Sequence, residues 1–258
     1  MKIKLVNQKD NKASLEVSDA TPAYINSLRR TFLSKVPTMA IDYVEFNQNN
    51  SGLYDEIIAH RLGLLVLKTD VESYNIAEEG AEEGPATHLK LKLKAKGPKT
   101  VYAEDLKSSD PKVKPVHPKT PITILLEGQE LELVATAKLG YGINHAKHQT
   151  GAISYYYKPT IKVNNDSDKL EETIEKIPPQ LVKNGKIVKE NINSAKLIEA
   201  CEDISDAIQI TYDDPHTQFV MNIESWGHLT PKEIIQEGVK EFNKDLQEFK
   251  TKLQDLKK

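Results

Sequence analysis

A chain of 258 residues with 38% hydrophobic and 28% charged side chains has a globular balance, and length for one large domain or two to three small ones. A net charge of −3 excludes the strongly basic footprint of a chain that grips nucleic acid by itself. No apolar run approaches the roughly 20 residues that span a bilayer, and "MKIKLVNQKD" lacks the apolar stretch of a secretion signal, so the expected location is the cytoplasm, without a membrane.

The single cysteine, Cys201, excludes an internal disulfide framework. It also excludes a metal or cluster site built only from this chain's thiolates.

In chain order, "KIKLV" and "ASLEV" alternate around the turn-rich "NQKDNK" and predict two short strands. A helix follows. Thr21 can cap it, Pro22 takes the first helical position, and Pro37 ends it. Ile25, Leu28 and Phe32 fall at i, i+3, i+7 on one face. Arg29 borders that stripe and Arg30 points away from it. On the helix alone, two solvated arginines and two interface arginines carry equal weight.

"MAIDYVEF" predicts a strand, and "LYDEIIAHRLGLLVL" a short helix running into an apolar strand. "EEGAEEGP", Glu78 to Pro85, reads as an acidic surface loop. "HLKLKLKAK" alternates strictly. Leu89, Leu91, Leu93 and Ala95 face one way, and Lys90, Lys92, Lys94 and Lys96 the other, as in an antiparallel strand with one wet face. "PITILLEGQELELVATAKLG" predicts a hairpin turning near "EGQE", and "AISYYYKPTIKV" one further strand.

Residues 166–213 have a different texture: a charged helix, the turn signals "IPPQ" and "KNGK", and a second helix "SAKLIEACEDISDAI". They read as a small inserted α/β module. "FVMNIESWG" is a strand. Thr230, Pro231 and Glu233 form a helix start with a capping box. Beyond it Ile235, Val239, Phe242, Leu246, Phe249, Leu253 and Leu256 are spaced 4-3-4-3-4-3, an a/d heptad seam that favours packing against other helices over lying on the chain's own sheet.

"NSLRRTFLSKVPTMAIDYVEF" followed by "LYDEIIAHRLGLLVLKTD", then "AKLGYGINHAKHQTGAISYYYKP" and "FVMNIESWGHLTPKEIIQEGVKEF", resemble in order the archaeal D-subunit family of DNA-directed RNA polymerase. That family is homologous to the bacterial alpha-subunit amino-terminal region and to the third-largest subunit of eukaryotic RNA polymerase II. The resemblance covers nearly the whole chain and is weakest in residues 166–213.

It implies an α+β fold with a discontinuous dimerisation domain, sheet plus two helices, at residues 1–40 and 214–258. An inserted, mostly antiparallel β domain would take residues 41–165, and a small ferredoxin-like module residues 166–213. It implies a non-catalytic assembly subunit that pairs with the smaller subunit L through a helical bundle. The L interface would comprise Ile25, Leu28, Phe32, Ile235, Val239, Phe242, Leu246, Phe249 and Leu253. The heterodimer would be the platform for the second-largest and largest catalytic subunits, with Arg29, Arg30, Asp55, Glu56, His60 and Arg61 docking a large subunit. Subunits N and P are further implied partners, and DNA is met only indirectly through the complex. Many members hold an iron–sulfur cluster in the inserted module. Cubane ligation takes four thiolates, and only Cys201 is present here. The expectation is no cluster, no other cofactor or metal, and a module packed on Leu197, Ile198, Ile204 and Ile208 with Cys201 as a small buried residue.

The competing readings are weaker. "HAKH" places His145 and His148 three apart without an adjacent Glu or a third ligand. No phosphate-binding G-x-x-x-x-G-K-[ST] or nucleophile elbow occurs. A metal or redox protein requires another chain to donate ligands beside Cys201. A homodimer through the heptad helix remains open on the pattern alone.

Overall fold

A computed structural model describes residues 1–77, 84–213 and 217–256. Most of the acidic segment expected as a surface loop, residues 78–83, lies outside the described residues. The fold is α+β. In order, the elements are β1 (Lys2–Lys9), β2 (Lys12–Ser18), α1 (Pro22–Ser34), β3 (Thr38–Asn49), α2 (Asp55–Gly63), β4 (His88–Lys96), β5 (Lys99–Tyr102), β6 (Lys107–Ser108), β7 (Pro121–Leu125), β8 (Glu130–Gly140), β9 (Gly151–Tyr157) and β10 (Thr160–Val163). Then come α3 (Leu170–Lys176), β11 (Val182–Lys183), β12 (Lys186–Ile187), α4 (Ala195–Glu199), β13 (Ile208–Thr211), β14 (Phe219–Ser225) and α5 (Pro231–Asp255). One four-stranded sheet runs β1-β2-β14-β9 and another β3-β8-β4-β6.

The chain divides into two compact units, each discontinuous in sequence. The first comprises Met1–Asn7, Ser14–Ile25 and Ser154–Asn222. Its insert packs around Ile161, Ile177, Leu181, Ile187, Ile192, Ile198, Cys201 and Ile208. The expected second helix of this region spans only Ala195–Glu199. Asp203 adopts a left-handed φ of 57°, which an α-helix cannot accommodate, and Ser205 Oγ accepts from the Ala207 amide instead. The "KNGK" turn is a hairpin: Asn184 and Gly185 both have positive φ, 53° and 71°, and Val182 pairs with Ile187.

The second unit comprises Gln8–Ala13, Asn26–Ile153 and Ile223–Lys258. Its core is the inner face of the β3-β8-β4-β6 sheet, where Leu89, Leu91, Leu93 and Ala95 of β4 are buried as the alternation predicts. Two expectations fail here. Strands β7 and β8 are consecutive but form no hairpin. β8 is flanked on both edges by β3 and β4, so β7 pairs with β5 in a separate sheet. The apolar run after α2 is not a strand. Leu67 makes a single bridge to Pro115, closed by the Lys68 amide on the Lys114 carbonyl and the Val116 amide on the Val66 carbonyl, and no ladder extends from it among the described residues. In the same way "AISYYYKPTIKV" is two strands, β9 and β10, interrupted at Lys158 and Pro159.

Two buried histidines tie this unit's loops together. His148 Nδ1 lies 2.8 Å from the Thr38 carbonyl, and Thr38 Oγ1 donates to the His148 carbonyl at 2.9 Å. His228 Nδ1 lies 2.9 Å from the Leu67 carbonyl, and the Thr69 amide donates to the His228 carbonyl at 2.9 Å. The Met39 amide donates to Thr69 Oγ1, linking the two latches. Burial pulls both imidazoles below their ordinary range, His228 down to about 4. A folded-state value below the unfolded one means that unfolding takes up protons between pH 6.5 and 4, so stability falls as pH drops through that window. His228 alone contributes about 3 kcal/mol to that loss. Chemical denaturation at pH 6.5, 5.5 and 4.5 is expected to show progressive destabilisation, and His228→Gln to flatten most of it. A flat profile for the unsubstituted chain would contradict the assignment.

Candidate interaction surfaces

Helix α5 starts on the predicted capping box. The Glu233 amide donates to Thr230 Oγ1 at 3.3 Å, and the Thr230 amide donates to Glu233 Oε2 at 2.7 Å, with Pro231 in the first turn. The chain engages it as far as Asp245. Ile234 and Gly238 are buried, and Asp245 pairs with Lys35, just past the end of α1, at 2.5 Å. A Cβ at Gly238 would overlap Phe32 Cδ1, so the ring of Phe32 rests where only glycine leaves room.

The seam centres about 80° round the helix from that inward face, at about 100° per residue. Ile235 and Phe242, nearest the chain, are half-buried. Val239, Leu246, Phe249 and Leu253 are 42%, 51%, 67% and 45% exposed, and Leu256 is exposed at the end. Ile25, Leu28 and Phe32 differ. They are 0%, 7% and 3% exposed, so they belong to this chain's own core and leave little surface for a partner.

The loop carrying "GYGINHAKHQT" closes on the end of α1. Thr150 Oγ1 donates to the Phe32 carbonyl at 2.8 Å and the Ile143 amide to the Ser34 carbonyl at 3.0 Å, satisfying carbonyls that the helix leaves open. Its histidines do not converge as ligands: His148 is buried on Thr38, and His145 Nδ1 accepts from the Lys147 amide. Among the described residues no group of three His, Cys, Asp or Glu could hold a metal ion. Burial pushes the Cys201 thiol up, away from the thiolate that ligation needs. The chain's one cysteine does not fit a cubane cluster.

On α1, Arg29 is half-buried and its Nε and one terminal nitrogen both donate to Asn26 Oδ1, at 3.1 and 2.9 Å. Arg30 is exposed. On α2, Asp55 and Glu56 sit in the first turn and Arg61 in the last, each sign matching the helix dipole, with His60 beside Arg61. Asp55 accepts from Asn49 at 2.7 Å, and Arg61 donates to the Ile122 carbonyl at 2.7 Å. Glu56 and His60 are exposed. Ile58 and Leu62 anchor the helix, whereas Tyr54, Ile57 and Leu64 are 81%, 46% and 56% exposed. With Arg61 they fall at 3-4-3 spacing, an outward apolar stripe that reading "DEIIAHRLG" as one core-bound run passes over. No helix among the described residues is long and apolar enough to cross a membrane.

Residues 44–163 match the family model described as the RNA polymerase Rpb3/RpoA insert domain. The chain is 37% identical to DNA-directed RNA polymerase subunit Rpo3 of Methanosarcina acetivorans over 244 residues, 91% of each chain. It is 34% identical to subunit Rpo3 of Pyrococcus horikoshii over 260 residues, 99% of each. It is 43% identical to that of Thermococcus kodakarensis over 172 residues, 67% of this chain and 65% of the relative. Similarity of this extent makes the chain a member of the archaeal RNA polymerase subunit Rpo3 family.

Proposed function

We propose that this polymerase subunit performs no chemistry of its own and acts as an assembly platform in the cytoplasm. It pairs with subunit L, and the pair receives the second-largest and largest catalytic subunits, with subunits N and P as further neighbours and DNA met only through the complex. The discontinuous segments 1–40 and 214–258 form the dimerising part. The observation that carries the reading is the seam of α5, four apolar side chains between 42% and 67% exposed in one line. Burying the exposed half of each is worth roughly 1 kcal/mol, and the four together drive association. Because the α1 apolar residues are already buried, the L contact rests on Ile235, Val239, Phe242, Leu246, Phe249 and Leu253.

Light scattering of the chain alone and after co-expression with subunit L is expected to give a self-associated species and a 1:1 complex respectively. The double variant Phe242→Asp, Leu246→Asp should weaken that complex by about 100-fold or more, since it places unpaired charge in the seam. A stable lone monomer indifferent to L, or a defined homodimer that L does not displace, would overturn the pairing.

Arg30 stands exposed on the surface, and Asn26 holds the Arg29 fork in place. Both suit carboxylates and carbonyls across an interface. Arg29→Ala with Arg30→Ala is expected to leave the L complex intact and weaken recovery of the second-largest subunit by about tenfold. Unchanged recovery of whole polymerase would count against that role.

The module that holds a cluster in many relatives is proposed to carry none here. Iron and acid-labile sulfide in protein purified without air should stay far below one cluster per chain, and a stoichiometric cluster would reverse the assignment.

A further inference from the structure

The outer face of the β3-β8-β4-β6 sheet carries charge in an uneven pattern. On β4, Lys94 and Lys96 are neutralised by Glu132 and Glu130 directly across on β8, each at 2.5 Å. Lys90 and Lys92 face Thr136 and Val134 instead, which carry no charge. On its other side Lys92 stands directly opposite Lys107 of β6. Like charges in register destabilise a strand pair, and no ion pair to Lys90, Lys92 or Lys107 occurs among the described residues. All three are exposed. The alternation that neutralises one half of β4 leaves Lys90 and Lys92 at its other half, with Lys107 of β6 beside them; Asp105, whose carboxyl Lys107 helps to hold low, is the nearby acidic group.

We infer that Lys90, Lys92 and Lys107 form a docking surface for an acidic protein segment of another polymerase subunit. Same-face residues on a strand repeat at about 6.7 Å, the spacing of alternate carboxylates on an extended acidic peptide. A nucleic acid is the poorer occupant. The chain as a whole is negative, and Glu45, paired with Val134, is exposed on the same face. Tyr43, the aromatic there, is half-buried, so no exposed ring offers a base a stacking platform. A mosaic of basic and acidic rows fits a protein surface better than a uniformly anionic polymer. The inference rests on the chain's place within the polymerase.

Carbodiimide joins amines to carboxylates that touch, so it reads this contact directly in purified polymerase. Lys94 linked to Glu132 and Lys96 linked to Glu130 serve as the internal control. The expected result is Lys90, Lys92 or Lys107 linked to an Asp or Glu of another subunit. The triple variant Lys90→Gln, Lys92→Gln, Lys107→Gln, with an unchanged unfolding midpoint, should hold that subunit about tenfold more weakly at 0.1 M salt and equally at 1 M. Control links alone, or links from the three lysines only to carboxylates of this chain, would overturn the docking surface. Formaldehyde links from these lysines to DNA would also overturn it, in favour of a nucleic-acid contact. Failure of the chain to copurify with polymerase would overturn the assembly reading itself, and this surface with it.

Discussion

The contact between Phe32 and the backbone of α5 at Gly238 sets the geometry of everything that faces outward. Glycine in a helix interior costs about 1 kcal/mol relative to alanine. Burying a phenylalanine recovers roughly 1.5–3 kcal/mol, and Phe32 is 3% exposed. The exchange favours close approach, and it fixes which side of α5 turns inward. Once Gly238 faces Phe32 of α1 and Ile234 is buried, the line through Val239, Phe242, Leu246, Phe249 and Leu253 has to face elsewhere. An alanine at 238 would push Phe32 outward or rotate α5, and either response would re-aim the seam.

That constraint also explains why α1 is built from two unlike stripes. Its apolar residues are spent on the chain's own interior, and its C-terminal carbonyls are closed by Thr150 and Ile143. What remains available includes Arg29 on Asn26, Arg30 in solvent and, near the start of the helix, the exposed Tyr24 ring. A helix anchored on one side and capped at its end can present the Arg29 guanidinium, held by Asn26, at a defined angle. The buried latches of His148 and His228 hold the segments on either side of this arrangement, the start of β3 and the approach to α5.

Features governed by local periodicity were legible in the sequence. The α5 capping box, the alternating β4, the heptads of α5, the Asn184–Gly185 turn and the burial of Cys201 all follow from chemistry within a few residues. Features decided by distant partners were not. Nothing near "EGQE" reveals that β8 is already flanked by β3 and β4, so adjacent strands that look like a hairpin belong to different sheets. Periodicity places Ile25, Leu28 and Phe32 on one face without saying whether that face meets its own chain or another. The outward stripe of Tyr54, Ile57 and Leu64 was hidden for the converse reason, because Ile58 and Leu62 between them supply an equally good inward stripe.

The insert in the first unit poses the sharpest physical question, since segments this small usually need a staple. Four thiolates around a cluster are one such staple, because ligation closes several loops at once. A continuous apolar core is another. From Ile161 to Ile208 the chain supplies β-branched side chains from strands, turns and α4 to a single cluster, with a tight two-residue hairpin shortening one loop. Isoleucine suits the task, since its χ1 is stiff and little freedom remains to be lost on burial. Cys201 sits among these residues as a small neutral filler, its thiol pushed up by the same apolar surroundings. A lone thiolate there would face the cost of an unpaired buried charge. The apolar packing around Cys201 therefore disfavours the ionised sulfur that metal ligation needs.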